Sequence, residues 1–134
     1  MSSTNKTVFL VEDHPKVRKQ LELLVTGLAG LDLVGEVDSA EAALAALESV
    51  TPGLLLVDIS LPGMSGIELV QRLHEKRQDC RCLMVSGHVD TAYVHAAERA
   101  GAKGFVAKGD PDELLTAVEE VMNGGSYWMS DAGH

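Results

Sequence analysis

The chain has 134 residues, 46% hydrophobic and 23% charged with four prolines, a make-up that fits one compact domain with a sizeable core and excludes a disordered tail or a repeat array. Its formal net charge of −9 sets it against phosphate backbones and anionic membrane surfaces, so this segment is expected to bind no nucleic acid and no membrane. Cys80 and Cys82, the two cysteines, stand too close for an unstrained disulfide, Met1 to Lys6 is polar, and no apolar run nears the roughly 18 residues of a membrane span; a reduced, cytoplasmic protein is expected.

Thr7 to Val11 is a short continuous apolar run, the pattern of a strand buried on both faces, and it stops at Glu12-Asp13. Pro15 suits a first helical turn, and Val17, Leu21, Leu24, Val25 and Leu28 form one stripe, predicting a helix to about Ala29. Leu31 to Val37 reads as a strand, Ser39 as an N-cap, and Ala43, Leu44 and Leu47 as the inner face of a helix. Gly53 to Val57 is another buried strand, ending on Asp58; after the Leu61-Pro62-Gly63 turn, Ser65 to Glu68 matches a capping box. Cys82 to Val85 is a strand ending on Ser86, and Asp90 caps a helix through Tyr93 to Ala100 that stops at Gly101. Gly104 to Ala107 is the fifth strand, ending on Lys108. The last helix has Asp110 as N-cap, Pro111 at N1 and Glu113 at N3, an inner face of Leu114, Leu115, Val118, Val121 and Met122, and a stop at Gly124-Gly125.

Five strands alternating with five helices predict an α/β fold, a doubly wound five-stranded parallel sheet of order 2-1-3-4-5. That order reverses between strands one and three, and ligands bind at the carboxyl ends there. Glu12, Asp13 and Asp58 stand at those ends, and Ser86 and Lys108 stand on the same edge. Singly, Asp58 reads equally well as a solvated loop carboxylate, Lys108 as a surface cation, Ser86 as a cap and Phe105 as core; the shared edge raises them together. Three carboxylates in a partly dry pocket repel, so either one stays protonated or a cation sits among them. A sparse acidic pocket suits Mg²⁺ better than calcium's larger cage, and zinc would want histidine or thiolate. A carboxylate beside such a cation can attack phosphorus, with a lysine and a hydroxyl stabilising the transition state.

On these residues the chain resembles the receiver domain family of two-component response regulators, the CheY-like or flavodoxin-like (βα)5 fold, from Val8 to Met122. The resemblance implies that Glu12, Asp13, Asp58 and the backbone carbonyl of Ser60 hold Mg²⁺, and that Asp58 is the phosphoacceptor. It further implies that Lys108 binds the phosphoryl group, Ser86 and Phe105 switch conformation, and Ser60 and His88 tune phosphoryl lifetime. It makes a sensor histidine kinase the donor, with acetyl phosphate able to substitute and weak self-catalysed dephosphorylation following; the chain would be a signalling switch more than an enzyme.

Two departures from the family pattern stand out. Gly109 follows Lys108 where the family has a proline reached through a cis peptide, and the ending from Gly124 to Ser130 resembles the junction between receiver and helix-turn-helix in the NarL/FixJ-type subfamily. Residues 1–125 are therefore expected to form the receiver, with 126–134 a tail or the start of a linker to an output domain controlling transcription, and a homodimer forming on phosphorylation. The alternative is a stand-alone receiver or a pseudo-receiver acting as an interaction module, although no pocket residue is missing. A flavin-binding module is disfavoured because two carboxylates follow the first strand, and a haloacid-dehalogenase-like phosphatase because Ser60 stands where its second aspartate would be. His14, His74, His88, His95 and His134 share no spacing that would make a metal site. Gly101 to Gly104 reads as a tight turn and not as a phosphate loop.

Overall fold

A strand buried on both faces must divide its apolar side chains between two cores. The first strand, β1 (Thr7–Val11), does so: Val8 and Leu10 join one cluster, Phe9 and Val11 the other. The structure, a computed structural model, describes residues 5–76, 80–87 and 90–128. After β1 come α1 (Pro15–Leu23), β2 (Asp32–Val37), α2 (Ala40–Ala46), β3 (Leu54–Asp58) and α3 (Gly66–Glu75). β4 (Arg81–Ser86), α4 (Thr91–Ala100), β5 (Gly104–Ala107), α5 (Pro111–Met122) and β6 (Tyr127–Trp128) follow. α2, α3 and α4 cover one face of the sheet through Ala43, Leu69, Leu73 and Ala97, while α1 and α5 cover the other through Leu21, Leu114 and Val118. Among the described residues no helix is long and apolar enough to cross a membrane.

The expected layout needs two corrections. The sheet has six strands, not five, in the order β2-β1-β3-β4-β5-β6, with every neighbouring pair parallel. The chain turns after α5 at Gly124, whose φ of 95° suits glycine, and returns along β5 with Tyr127 N–H donating to the Lys103 carbonyl at 3.0 Å. Tyr127 then packs against the cluster under α1 and α5, and Trp128 against the opposite one, so the two aromatics flank the β5 edge. Both lie in the stretch from 126 that was expected to be tail or linker; Met129 to His134 lie outside the described residues.

The second correction concerns the first helix. It is α-helical only to Leu23 and continues as a π-helical turn over Leu24–Leu28, with Ala29 N–H donating to Leu24 O at 3.0 Å. Thr26 donates its hydroxyl to the Glu22 carbonyl at 2.7 Å, which competes with the helical ladder, and Gly27 next to it adds no side chain to resist the wider turn.

Helix starts follow the caps read in the sequence. Ser39 accepts from Ala42 N–H, Ser65 from Glu68 N–H, Asp90 from Ala92 N–H and Asp110 from Glu113 N–H, at 2.8 to 3.1 Å. Parallel register then brings the strand ends to one edge: Val11 pairs with Val57, Asp58 with Val85, and Ser86 with Ala107.

Candidate metal centre

Each charged residue of the edge follows, or ends, a strand whose preceding side chains are buried. Such a residue is delivered to a fixed place and is itself largely shielded from water. Glu12 is 0% exposed, Asp58 2% and Ser86 2%, the three buried polar residues among those described, whereas Asp13 beside them is exposed. Carboxylate oxygens of Glu12, Asp13 and Asp58 lie within 4.8 Å of one another. Lys108 reaches in from β5 and donates from Nζ to Asp58 Oδ2 at 2.9 Å, with Glu12 Oε1 3.0 Å away. Ser60 N–H donates to Asp58 Oδ1 at 3.0 Å, and His14 N–H to Glu12 Oε2 at 3.2 Å.

The charges do not balance. Three carboxylates face one ammonium, so at neutral pH the pocket carries a surplus of about two negative charges in a poorly hydrated place. Burial raises the Glu12 carboxyl above its ordinary value, the neighbouring Asp58 adds to this, and Lys108 only partly offsets it. For Lys108 burial pulls the pKa down, but Asp58 and Glu12 outweigh it and the ammonium is held more tightly than usual. Glu12 Oε1 is buried, and the group that meets it is the Lys108 ammonium at 3.0 Å, which it shares with Asp58. A buried all-oxygen cluster that shares one ammonium and lacks about two positive charges fits a hard divalent cation of the magnesium type.

Of the other residues singled out from sequence, Ser86 lies at the end of β4, between the strands that carry Asp58 and Lys108, and Lys108 N–H donates to its carbonyl at 2.7 Å. Phe105 is 0% exposed and belongs to the cluster under α2, α3 and α4. Ser60 is exposed at the mouth of the pocket, and His88 lies outside the described residues. The Lys108–Gly109 peptide is trans, and there is open space around Gly109.

Three supporting residues went unnoticed in the sequence. Arg18 of α1 donates from Nη1 to the Glu12 carbonyl at 2.7 Å and pairs through Nε with Glu36 Oε1 at 3.1 Å. Glu41 of α2 accepts from Met64 N–H at 3.1 Å and so ties down the loop after Asp58. Gly66 lets α3 begin against the Asp58 carbonyl, where a Cβ would collide. Only the glycine left a readable signal, through its place inside the Ser65–Glu68 cap.

Comparison with known proteins agrees with this geometry. Residues 8–119 match the family model described as the response regulator receiver domain. The chain is 40% identical over 122 residues to the transcriptional activator protein ExaE of Pseudomonas putida, covering 90% of this chain and 56% of that protein. It is 32% identical over 119 residues to the nitrate/nitrite response regulator protein NarL of Escherichia coli K12, covering 88% and 55%. The chain thus spans about half the length of these curated relatives. Among solved structures, the signal receiver domain of the putative response regulator NarL from Mycobacterium tuberculosis superposes with a TM-score of 0.84 at 28% identity, covering 91% of this chain and 99% of that one.

Proposed function

Because the chain belongs to the response regulator receiver family, we propose that Asp58 is its phosphoacceptor and that the acidic edge is built to make that one carboxylate reactive. The observation that carries this reading is the setting of Asp58: 2% exposed, held at 2.9 Å by Lys108, and within 4.8 Å of two further carboxylates. A carboxylate oxygen of Asp58 forms the new bond to phosphorus as the phosphorus–nitrogen bond of a donor phosphohistidine breaks, and the freed imidazole takes its proton from solvent. Glu12, Asp13, Asp58 and the Ser60 carbonyl would hold Mg²⁺, which supplies charge neutralisation for the phosphoryl oxygens. Lys108 stays close enough to follow the added group, and Ser86 supplies a hydroxyl from the next strand. Ser60, exposed at the pocket mouth, and His88 set how readily water removes the phosphoryl group.

Phosphorylation would bias Ser86 and Phe105 between two arrangements and so alter the surface around α4, β5 and α5, a population shift driven by contacts made only with the modified aspartate. A sensor histidine kinase is the proposed donor. Control of transcription through a part of the protein outside this segment, with homodimerisation on phosphorylation, is the proposed output; the relatives' names as an activator and a response regulator support it.

Incubation with acetyl phosphate and Mg²⁺ should add one phosphoryl group by intact mass. Asp58→Asn or removal of Mg²⁺ with EDTA should abolish the addition, and labelling that survives both would refute the assignment.

A further inference from the structure

The turn Glu12–His14 between β1 and α1 carries two of the three carboxylates, and Glu12 is held in it by three hydrogen bonds with different parts of the chain. Glu12 N–H donates to the Val37 carbonyl at 3.1 Å, its Oε2 accepts from His14 N–H, and its carbonyl accepts from Arg18 Nη1 at 2.7 Å. The last contact comes from the side chain with most reach. Arg18 is one turn into α1, anchored by its own N–H to the His14 carbonyl at 2.9 Å, and the other edge of its guanidinium meets Glu36 of β2 at 3.1 Å. Glu36 is itself in register with Leu10 of β1, so the brace joins β2, α1 and the acid-bearing turn.

We propose that Arg18, braced by Glu36, is a positioning residue for Glu12 and Asp13 that sets how tightly the acidic cluster holds a divalent cation. The inference rests on the acceptor reading above. The peptide joining Glu12 to Asp13 is planar, so a clamp on the Glu12 carbonyl oxygen also fixes the direction in which Asp13 leaves the turn. That matters because the two carboxylates differ in support: Glu12 is enclosed, whereas Asp13 is exposed and depends on its backbone for aim. A rigid planar fork with donors on two edges serves a carbonyl and a carboxylate at once in one fixed relative geometry, which a flexible point-charge ammonium does not impose. The Arg18–Glu36 pair is partly exposed, at 23% and 36% of the side chains, and contributes little to folding by itself. Its effect is directional, through the carbonyl that it holds.

The test is binding of Mn²⁺ alone, an ion that takes the same oxygen ligands, to the full 134-residue chain by EPR, comparing the native protein with Arg18→Met, Glu36→Gln and the double variant. Arg18→Met should weaken Mn²⁺ binding by about tenfold and Glu36→Gln by a smaller factor, with the double variant no weaker than Arg18→Met, since both act through one contact. The Mg²⁺ concentration for half-maximal labelling by acetyl phosphate should rise in step, while the labelling rate at saturating Mg²⁺ stays within about twofold of native. Thermal unfolding without metal checks that each variant is folded, and Glu36→Gln serves if Arg18→Met is not. Native-like Mn²⁺ affinity in the folded variants would overturn the brace and leave a merely structural contact. If the native chain binds no Mn²⁺, the acceptor reading falls and the brace falls with it; if the native chain binds Mn²⁺ and is labelled while the variants match it, the brace alone falls.

Discussion

Asp58 is an ordinary aspartate made unusual by what it touches. Its two oxygens are already spoken for, Oδ1 by the Ser60 N–H and Oδ2 by Lys108 Nζ, so its orientation is set before any donor arrives. Gly66 contributes to that setting from behind. Because a Cβ there would collide with the Asp58 backbone carbonyl, and backbone yields less readily than a flexible side chain, Gly66→Ala should destabilise the chain by about 1 to 3 kcal/mol. The same variant should slow labelling by acetyl phosphate, because relieving the collision displaces either α3 or Asp58. Native-like melting together with native-like labelling would show that the loop has slack at this point. At this scale the sequence was legible wherever a residue ended or directly followed a buried strand, as Asp58 and Lys108 do. It was opaque for Arg18 and Glu41, since a base on a helix face or an acid in a first helical turn reads as a solvated charge until a distant carbonyl or N–H is brought to it.

Elements were legible in proportion to their length and punctuation. The predicted N-caps Ser39, Ser65, Asp90 and Asp110 each accept a backbone hydrogen bond, because capping needs only local geometry. The π-helical turn was hidden because Leu24, Val25 and Leu28 fall on one stripe in either kind of helix, and the bond that distinguishes it, from Ala29 N–H to the Leu24 carbonyl five residues back, leaves no mark in the sequence. β6 was hidden because two residues are too few to show an alternation. Its attachment is nonetheless specific: the Tyr127 hydroxyl donates a hydrogen bond to Glu113 of α5, which pushes the phenol up to about 12. A raised pKa means that this contact's contribution to folding is complete below the ordinary value of 10.0 and is lost as pH rises through about 12. Ultraviolet titration should therefore show Tyr127 ionising late, and Glu113→Gln should bring it back toward the ordinary value. If the late ionisation is missing from the native chain, or is unchanged by Glu113→Gln, β6 is not docked as described.

At the scale of the whole molecule, the sheet order concentrates a surplus of negative charge at one end of a chain that is already at −9. That arrangement stores repulsion which a bound cation relieves, so Mg²⁺ should raise the melting temperature, with a stabilisation of about 2.7 kcal/mol at a hundred times its dissociation constant. Asp13→Asn removes one of the opposed charges; it should melt at a higher temperature than the native chain without Mg²⁺ and gain less when Mg²⁺ is added. An identical Mg²⁺ response in that variant would remove Asp13 from the ligand set. The α/β class and the convergence at the strand ends could be read from alternating buried runs and caps, whereas the sixth strand and the buttresses behind the acids depend on contacts between segments far apart in sequence. The central claim, that Asp58 alone carries the phosphoryl group, is tested most directly by treating the acetyl-phosphate-labelled chain with borohydride, which reduces an acyl phosphate to an alcohol, and mapping the product by peptide mass spectrometry. The account predicts homoserine at position 58 and nowhere else; reduction at position 12 or 13, or a label that resists borohydride, would contradict it.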